Sequence, residues 1–170
     1  GFQVSQPRGL IAEGLFKDYD DIRNSAKQTW GDVMPGDIKY RDVNGDGIVN
    51  DKDYVPIGAT NRPNLIYGFG FSAQWKGFDV NVLFQGAGKS TFFIDGYTVY
   101  PFKDGDWGNI LTDVVKSNRW ILGENEDPNA KYPRLSYGGN NNNYQSSTYW
   151  MRNGSYLRLK NLEVGYTIPK

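Results

Sequence analysis

The rhythm of hydrophobic and polar residues changes once along the chain, near residue 61. Before that point Gly, Pro and Asp recur so often that no long element can form, and residues 1–60 are expected to be loop. One short helix is expected behind Asp18, whose side chain can cap it, with Asp20 and Asp21 in the first turn where the helix dipole favours negative charge. Beyond residue 61 the stretch NLIYGFGFSAQW alternates, with Leu65, Tyr67, Phe69, Phe71, Ala73 and Trp75 on one face and Ile66, Gly68, Gly70, Ser72 and Gln74 on the other. Strict alternation of that length predicts a strand. Lys76 and Gly77 then form a tight turn, and FDVNVLFQG alternates again with Phe78, Val80, Val82 and Phe84 together, so residues 61–87 read as an antiparallel hairpin. A third strand is expected within residues 149–170. There Leu157 and Leu159 share one parity while Leu162, Val164, Tyr166 and Ile168 share the other; a bulge near Lys160 and Asn161 would return all six to one face, and Pro169 would end the strand.

Residues 88–148 separate the second strand from the third and read as one long loop. Within it Trp107, Ile110, Leu111, Val114 and Val115 recur at helical spacing behind a possible cap at Asp106, which predicts a helix over about 107–121 closed by Gly123. The run GGNNNNY, Gly138 to Tyr144, is expected to be too polar to bury and therefore mobile. Alternation alone does not separate a membrane strand from a half-buried soluble one. The quality of the two faces favours the membrane: one is continuously apolar and aromatic for ~10 residues, and the other is small or polar, as a wet lumen prefers. Trp75 and Phe78 flank the turn where an aromatic girdle would meet the membrane surface. A tight turn at one end and a long excursion at the other match outer-membrane barrels, whose long loops lie outside the cell. The alternative is an aromatic-rich β-sandwich core.

Charge and composition narrow the function. Lys plus Arg is 19 and Asp plus Glu is 19, so no global field draws the chain to nucleic acid. With no Cys and no His there is no thiolate or imidazole chemistry, and catalysis would rest on carboxylates. Asp104 with Asp106, and Glu124 with Glu126, are pairs in sequence only, so no enzyme is expected. The chain has neither a run of 18 apolar residues nor a leader, and its beginning at Gly1 and stop at Lys170 are expected of a piece of a longer protein.

One segment concentrates oxygen. In DVNGDGIVNDKD, Asp42, Asn44 and Asp46 supply side-chain oxygens at alternate places, Ile48 offers its carbonyl, Asn50 can act directly or through water, and Asp53 stands at the twelfth place. This is the spacing of a calcium loop, and a structural Ca2+ is the expected cofactor, bound in the weak extracellular range of ~10⁻⁴ to 10⁻³ M. It departs from an EF-hand in having Asp at the last place, and Pro35, Gly36, Pro56 and Gly58 leave no room for flanking helices. Without an ion, the same residues would make an acidic surface loop of Asn-Gly and Asp-Gly turns.

The blocks EGLFKDYDDI, PGDIKYRDVNGDGIVNDKD, GFGFSAQWKGFDVNVLFQG, NAKYPRLS and SYLRLKNLEVGYTIP resemble, in order, the later barrel portion of SusC/RagA-type TonB-dependent outer-membrane transporters. The resemblance implies an all-β fold: antiparallel strands of a large outer-membrane β-barrel, present here in part, with long extracellular loops carrying short helices. It further implies import of glycan or peptide fragments across the Gram-negative outer membrane under a SusD-like surface lipoprotein. Contact with TonB would run through a segment not in this chain. On this reading Leu65, Tyr67, Phe69, Phe71, Val80, Val82 and Phe84 face the lipid bilayer, and some of Trp107, Tyr132, Tyr137, Tyr144, Tyr149 and Trp150 face the ligand or the lid while the others pack as loop core. The second reading is a secreted, calcium-stabilised carbohydrate-binding β-sandwich module.

Overall fold

The computed structural model describes residues 4–96, 99–103, 110–116 and 118–168. In chain order the described elements are β1 (Arg8–Gly9), β2 (Ala12–Leu15), α1 (Tyr19–Arg23), β3 (Lys27–Gln28), β4 (Ile38–Tyr40), β5 (Ile48–Val49), a 3-10 turn (Asp51–Asp53), β6 (Val55–Pro56), β7 (Leu65–Trp75), β8 (Phe78–Gly88), β9 (Thr91–Phe93), α2 (Thr112–Lys116), β10 (Met151–Asn153) and β11 (Tyr156–Tyr166). They form two compact units.

The first unit carries a three-stranded antiparallel sheet in the order β11-β8-β7, each strand eleven residues long. Lys76 and Gly77, with φ of 48° and 85°, make the two-residue turn between β7 and β8, the mirror-image kind whose twist suits a hairpin. The pairing runs without a slip from Leu65↔Gly88 to Trp75↔Phe78. Between β11 and β8 the register shifts once, between Leu159 and Asn161, so that Lys160 bulges out. The bulge lies where the parity break predicted it and leaves Leu157, Leu159, Leu162, Val164 and Tyr166 opposite the apolar set of β8. Gly86 is a packing requirement: Tyr67 lies across it, and a Cβ there would come within 2.2 Å of the tyrosine Cζ.

The second unit joins two stretches expected to be separate loops, Pro7–Ile57 and Phe93–Met151. Residues 7–57 contain short strand pairs: β1 with β6 and β2 with β4 are antiparallel, and β3 with β5 is parallel. The helix is where it was expected, with the Asp18 carboxylate accepting from the Asp21 N–H at 2.7 Å. Leu10, Ile38, Tyr40 and Val49 from the first stretch share one apolar core with Val114, Trp120, Tyr132 and Trp150 from the second. The helix expected over about 107–121 is corrected to α2, five residues long, among the described residues; Asp106 and Trp107 lie outside them. Val114 is buried, while Leu111 and Val115 are exposed. The chain is already non-helical at Arg119, which bridges to Tyr132, and Gly123 sits in the turn joining Ile121 to Asn125 instead of capping a helix.

The asparagine run reverses its expectation. Asn140, Asn142 and Asn143 are buried around Asp37, which is itself fully buried. Asp37 Oδ1 accepts from the side-chain amides of Asn140 at 2.8 Å and Asn143 at 2.9 Å. The Arg134 guanidinium pairs with the same carboxylate at 2.7 Å and the Met34 N–H donates to it at 2.8 Å. Asn142 Nδ2 donates to the Ile38 carbonyl, and Gln28 Nε2 donates to Asn142 Oδ1, at 2.9 Å each. Polarity did not exclude burial because nearly every amide found a partner at the one buried charge or on the backbone beside it. Asp37→Ala is expected to destabilise the second unit by about 3–5 kcal/mol, since it strands Arg134 and two amide donors in the interior. Thermal unfolding and protease cleavage within residues 93–151 measure the loss.

Candidate functional site

The register places Leu65, Tyr67, Phe69, Phe71, Val80, Val82 and Phe84 on one face of the sheet with Leu157, Leu159, Leu162, Val164 and Tyr166. Phe71 is 59% exposed and Val164 68%. The opposite face is a polar ladder. Ser72 Oγ donates to Asn81 Oδ1 at 3.1 Å, Asn81 Nδ2 reaches Glu163 Oε2 at 3.3 Å, and Asn161 Nδ2 reaches the other Glu163 oxygen at 2.8 Å. Arg158 Nη2 reaches Gln85 Oε1 at 3.2 Å. At the turn end the Phe78 and Tyr166 rings pack tilted at 40° with centroids 4.5 Å apart, and the Lys76 ammonium lies 4.8 Å from the Trp75 ring centroid. An aromatic belt backed by a cation is the arrangement that holds strands at a membrane interface.

The acidic loop closes on itself. Asp42 Oδ1 accepts from the Gly45 N–H and Oδ2 from the Gly47 N–H, both at 2.7 Å. Asn44 Oδ1 accepts from Asp46 at 2.8 Å, Asp46 Oδ1 from Ile48 at 3.0 Å, and Asn50 Oδ1 from Lys52 at 2.9 Å. Asp53 is buried at the loop's base, where Oδ1 accepts from Val43 at 2.9 Å and Asn44 at 3.3 Å and Oδ2 accepts from Asn50 at 2.9 Å. Burial pushes the Asp53 carboxyl up, but the N–H donors of Asn50, Val43 and Asn44 outweigh it, so its pKa falls below the ordinary carboxylate value. Among the described residues no three acidic side chains converge as a metal site would need. As folded, backbone N–H groups hold the carboxylates of Asp42, Asp46 and Asp53.

The six aromatic candidates separate by burial. Trp150 is 1% exposed and donates its indole N–H to the Asn143 carbonyl at 2.8 Å. Tyr132 is buried with its hydroxyl on Asp113 at 2.6 Å. Tyr144 packs 4.5 Å from the Tyr100 ring, and Tyr149 donates to the Ala130 carbonyl at 2.8 Å. Trp150 and Tyr132 thus belong to the core, with Tyr144 and Tyr149 packed against it. Tyr137 alone among the five described is open to solvent, 72% exposed, stacked on Phe102. Trp107 lies outside the described residues. Phe102, whose φ is 64°, carried no periodic signal that would have singled it out.

The chain combines an exposed aromatic sheet face, a polar reverse face and a loop unit with its own core. No protein-family model matches it. Over 161 residues it is 29% identical to TonB-dependent receptor P26 of Formosa agariphila, a match covering 95% of this chain and 15% of that receptor. TonB-dependent receptor P3 of the same organism is 29% identical over 140 residues, covering 82% of this chain and 13% of that protein. In fold the chain is similar to the RagAB peptide importer: the open-open state aligns with a TM-score of 0.58 at 18% identity, covering 95% of this chain and 16% of that one. The closed-closed state gives 0.57 at 20% identity. The chain is thus similar in sequence to TonB-dependent receptors and in fold to the RagAB importer, over a stretch that spans 15% of the length of the first relative.

The depressed Asp53 pKa fixes the direction of an acid effect on the loop. A carboxyl whose folded pKa lies below its ordinary 3.8 contributes stability that is complete above that value and is lost as pH falls through the folded pKa. Protease cleavage near Gly47 is therefore expected to stay constant from neutral pH to about 4 and to rise below it. Asp53→Ala is expected to open the loop at neutral pH.

Proposed function

We propose that the chain supplies part of the wall and the outward loops of an active transporter in the Gram-negative outer membrane. The transporter imports glycan or peptide fragments together with a SusD-like surface lipoprotein, and TonB acts through a segment outside this chain. The observation that carries the reading is the aromatic sheet face, eleven residues tall and exposed along β7. At about 3.3 Å per residue and a tilt of about 45°, such a strand rises about 26 Å, close to the apolar band of an outer-membrane barrel. A sandwich core would bury that face, whereas Phe71 is 59% exposed and Val164 68%. A charge at Phe71 is expected to cost about 2–4 kcal/mol near the midplane, whereas one at Ser72 costs little because it meets water and the polar ladder. Folding titrations of Phe71→Lys and Ser72→Lys in lipid vesicles test this; equal tolerance at the two positions would remove the transporter reading.

Calcium belongs to the same reading, supported by the spacing of Asp42, Asn44, Asp46, Ile48, Asn50 and Asp53. Binding would require Asp42 and Asp46 to turn from the amides of Gly45, Gly47 and Ile48 toward a common point. The ion's part would be structural, neutralising carboxylates at close quarters. Saturable calcium uptake that is lost in Asp42→Ala/Asp46→Ala is the expected result. Identical protease resistance of the loop in millimolar calcium and in chelator, with no uptake, would overturn it.

A further inference from the structure

Away from the sheet and the acidic loop, the second unit holds a groove of about 360 Å³ that the transport reading leaves unused. That volume lies within the range of small-ligand sites. Trp120 lines it with Tyr19, Met34, Leu122 and Leu135, and Leu122 is 75% exposed. The sequence builds it deliberately. At Gly36, φ is +87° and a Cβ would come within 2.3 Å of Trp120 Cε3, so only glycine lets the indole lie there. The Trp120 N–H donates to the Tyr132 carbonyl at 3.0 Å, and Ile121 and Asn125 exchange both backbone hydrogen bonds at 2.8 Å. Asn125 Nδ2 holds the Arg119 carbonyl at 2.7 Å, which fixes where that arginine leaves the backbone.

Two arginines line the groove, and no Asp or Glu does. They are not equivalent. Arg134 is engaged by Asp37 at 2.7 Å, whereas the half-buried Arg119 guanidinium has no hydrogen-bond or ion-pair partner among the described residues. The indole N–H of Trp120 is likewise buried without a hydrogen-bond partner among the described residues. An apolar trough with an uncompensated guanidinium is complementary to an apolar side chain beside a carboxylate, since a planar fork of donors matches a carboxylate best. A glycan would find too little to bond: apart from the arginines, the Tyr19 phenol and the Trp120 indole, the side chains named here are apolar.

We propose that this groove is a subsite for the C-terminal residue of a short peptide, which lays an apolar side chain against Trp120 and Leu122 and sets its α-carboxylate on Arg119. The inference rests on the transport reading and names peptide as the class of cargo. The test is calorimetric titration of the full-length transporter with Ala-Ala-Leu and with the same peptide amidated at its C-terminus. The acid is expected to bind about tenfold tighter than the amide. Arg119→Gln should bring the acid to the level of the amide, and Arg119→Lys should restore part of the difference. Equal binding of acid and amide, no binding of either, or a difference that survives Arg119→Gln would overturn the proposal. So would Arg119→Gln weakening lipoprotein capture with peptide binding unchanged, which would make the groove a protein contact. Membrane insertion of each variant is followed separately: a protein that inserts but ignores the peptides removes the subsite alone, and one that fails to insert as wild type removes the transport reading.

Discussion

A sheet with one aromatic face and open edges cannot rest in water, and the rest of this structure follows from that constraint. Phe69, Phe71, Trp75, Leu157, Leu162 and Val164 would expose a contiguous apolar surface far beyond the scattered apolar residues ordinary on a soluble protein. Lipid removes the cost. It also imposes a second demand, because backbone N–H and C=O groups on the outer edges of β7 and β11 must be paired wherever hydrocarbon surrounds them. Three strands meet only the first demand. The match to 15% and 16% of much longer proteins fits the second, which asks for neighbouring strands on both sides.

The loop unit solves a different problem. Its strands are two to four residues long, too short for backbone ladders to hold a fold, so buried carboxylates act as organising centres. Asp37 gathers Arg134, Asn140 and Asn143 from one stretch onto the Met34 to Asp37 turn of the other. Asp53 gathers three amides at the base of the acidic loop. Each carboxylate does for irregular chain what a sheet does for regular chain, giving the donors around it an acceptor. The groove beside Trp120 lies in this unit, with Arg119 among its lining residues.

What could be read from the residues alone was local. The alternation of β7 and β8, the Lys76-Gly77 turn, the Asp18 cap and the bulge at Lys160 each depend on residues within a few places of one another. The asparagine run was misjudged because its partners are remote: Asn140 meets Asp37 across 103 residues, and no short-range rule anticipates that pairing. The expected helix near Val114 shrank because Arg119 and Trp120 are drawn into pairing with Tyr132. Tyr132 and Trp150 joined a core that also takes residues from the stretch 7–57, which local spacing does not reveal.

The central claim is that one face of the β7-β8-β11 sheet meets lipid and the other meets water. The absence of cysteine from this chain allows single spin labels to be placed at Phe71, Val164, Ser72 and Asn81 one at a time in the bilayer-reconstituted protein. Paramagnetic collision rates then report the surroundings of each label. Labels at Phe71 and Val164 should collide with oxygen and be shielded from a water-soluble nickel chelate, and labels at Ser72 and Asn81 should show the reverse. Chelate access at Phe71 and Val164 equal to that at Ser72 and Asn81 would contradict the account.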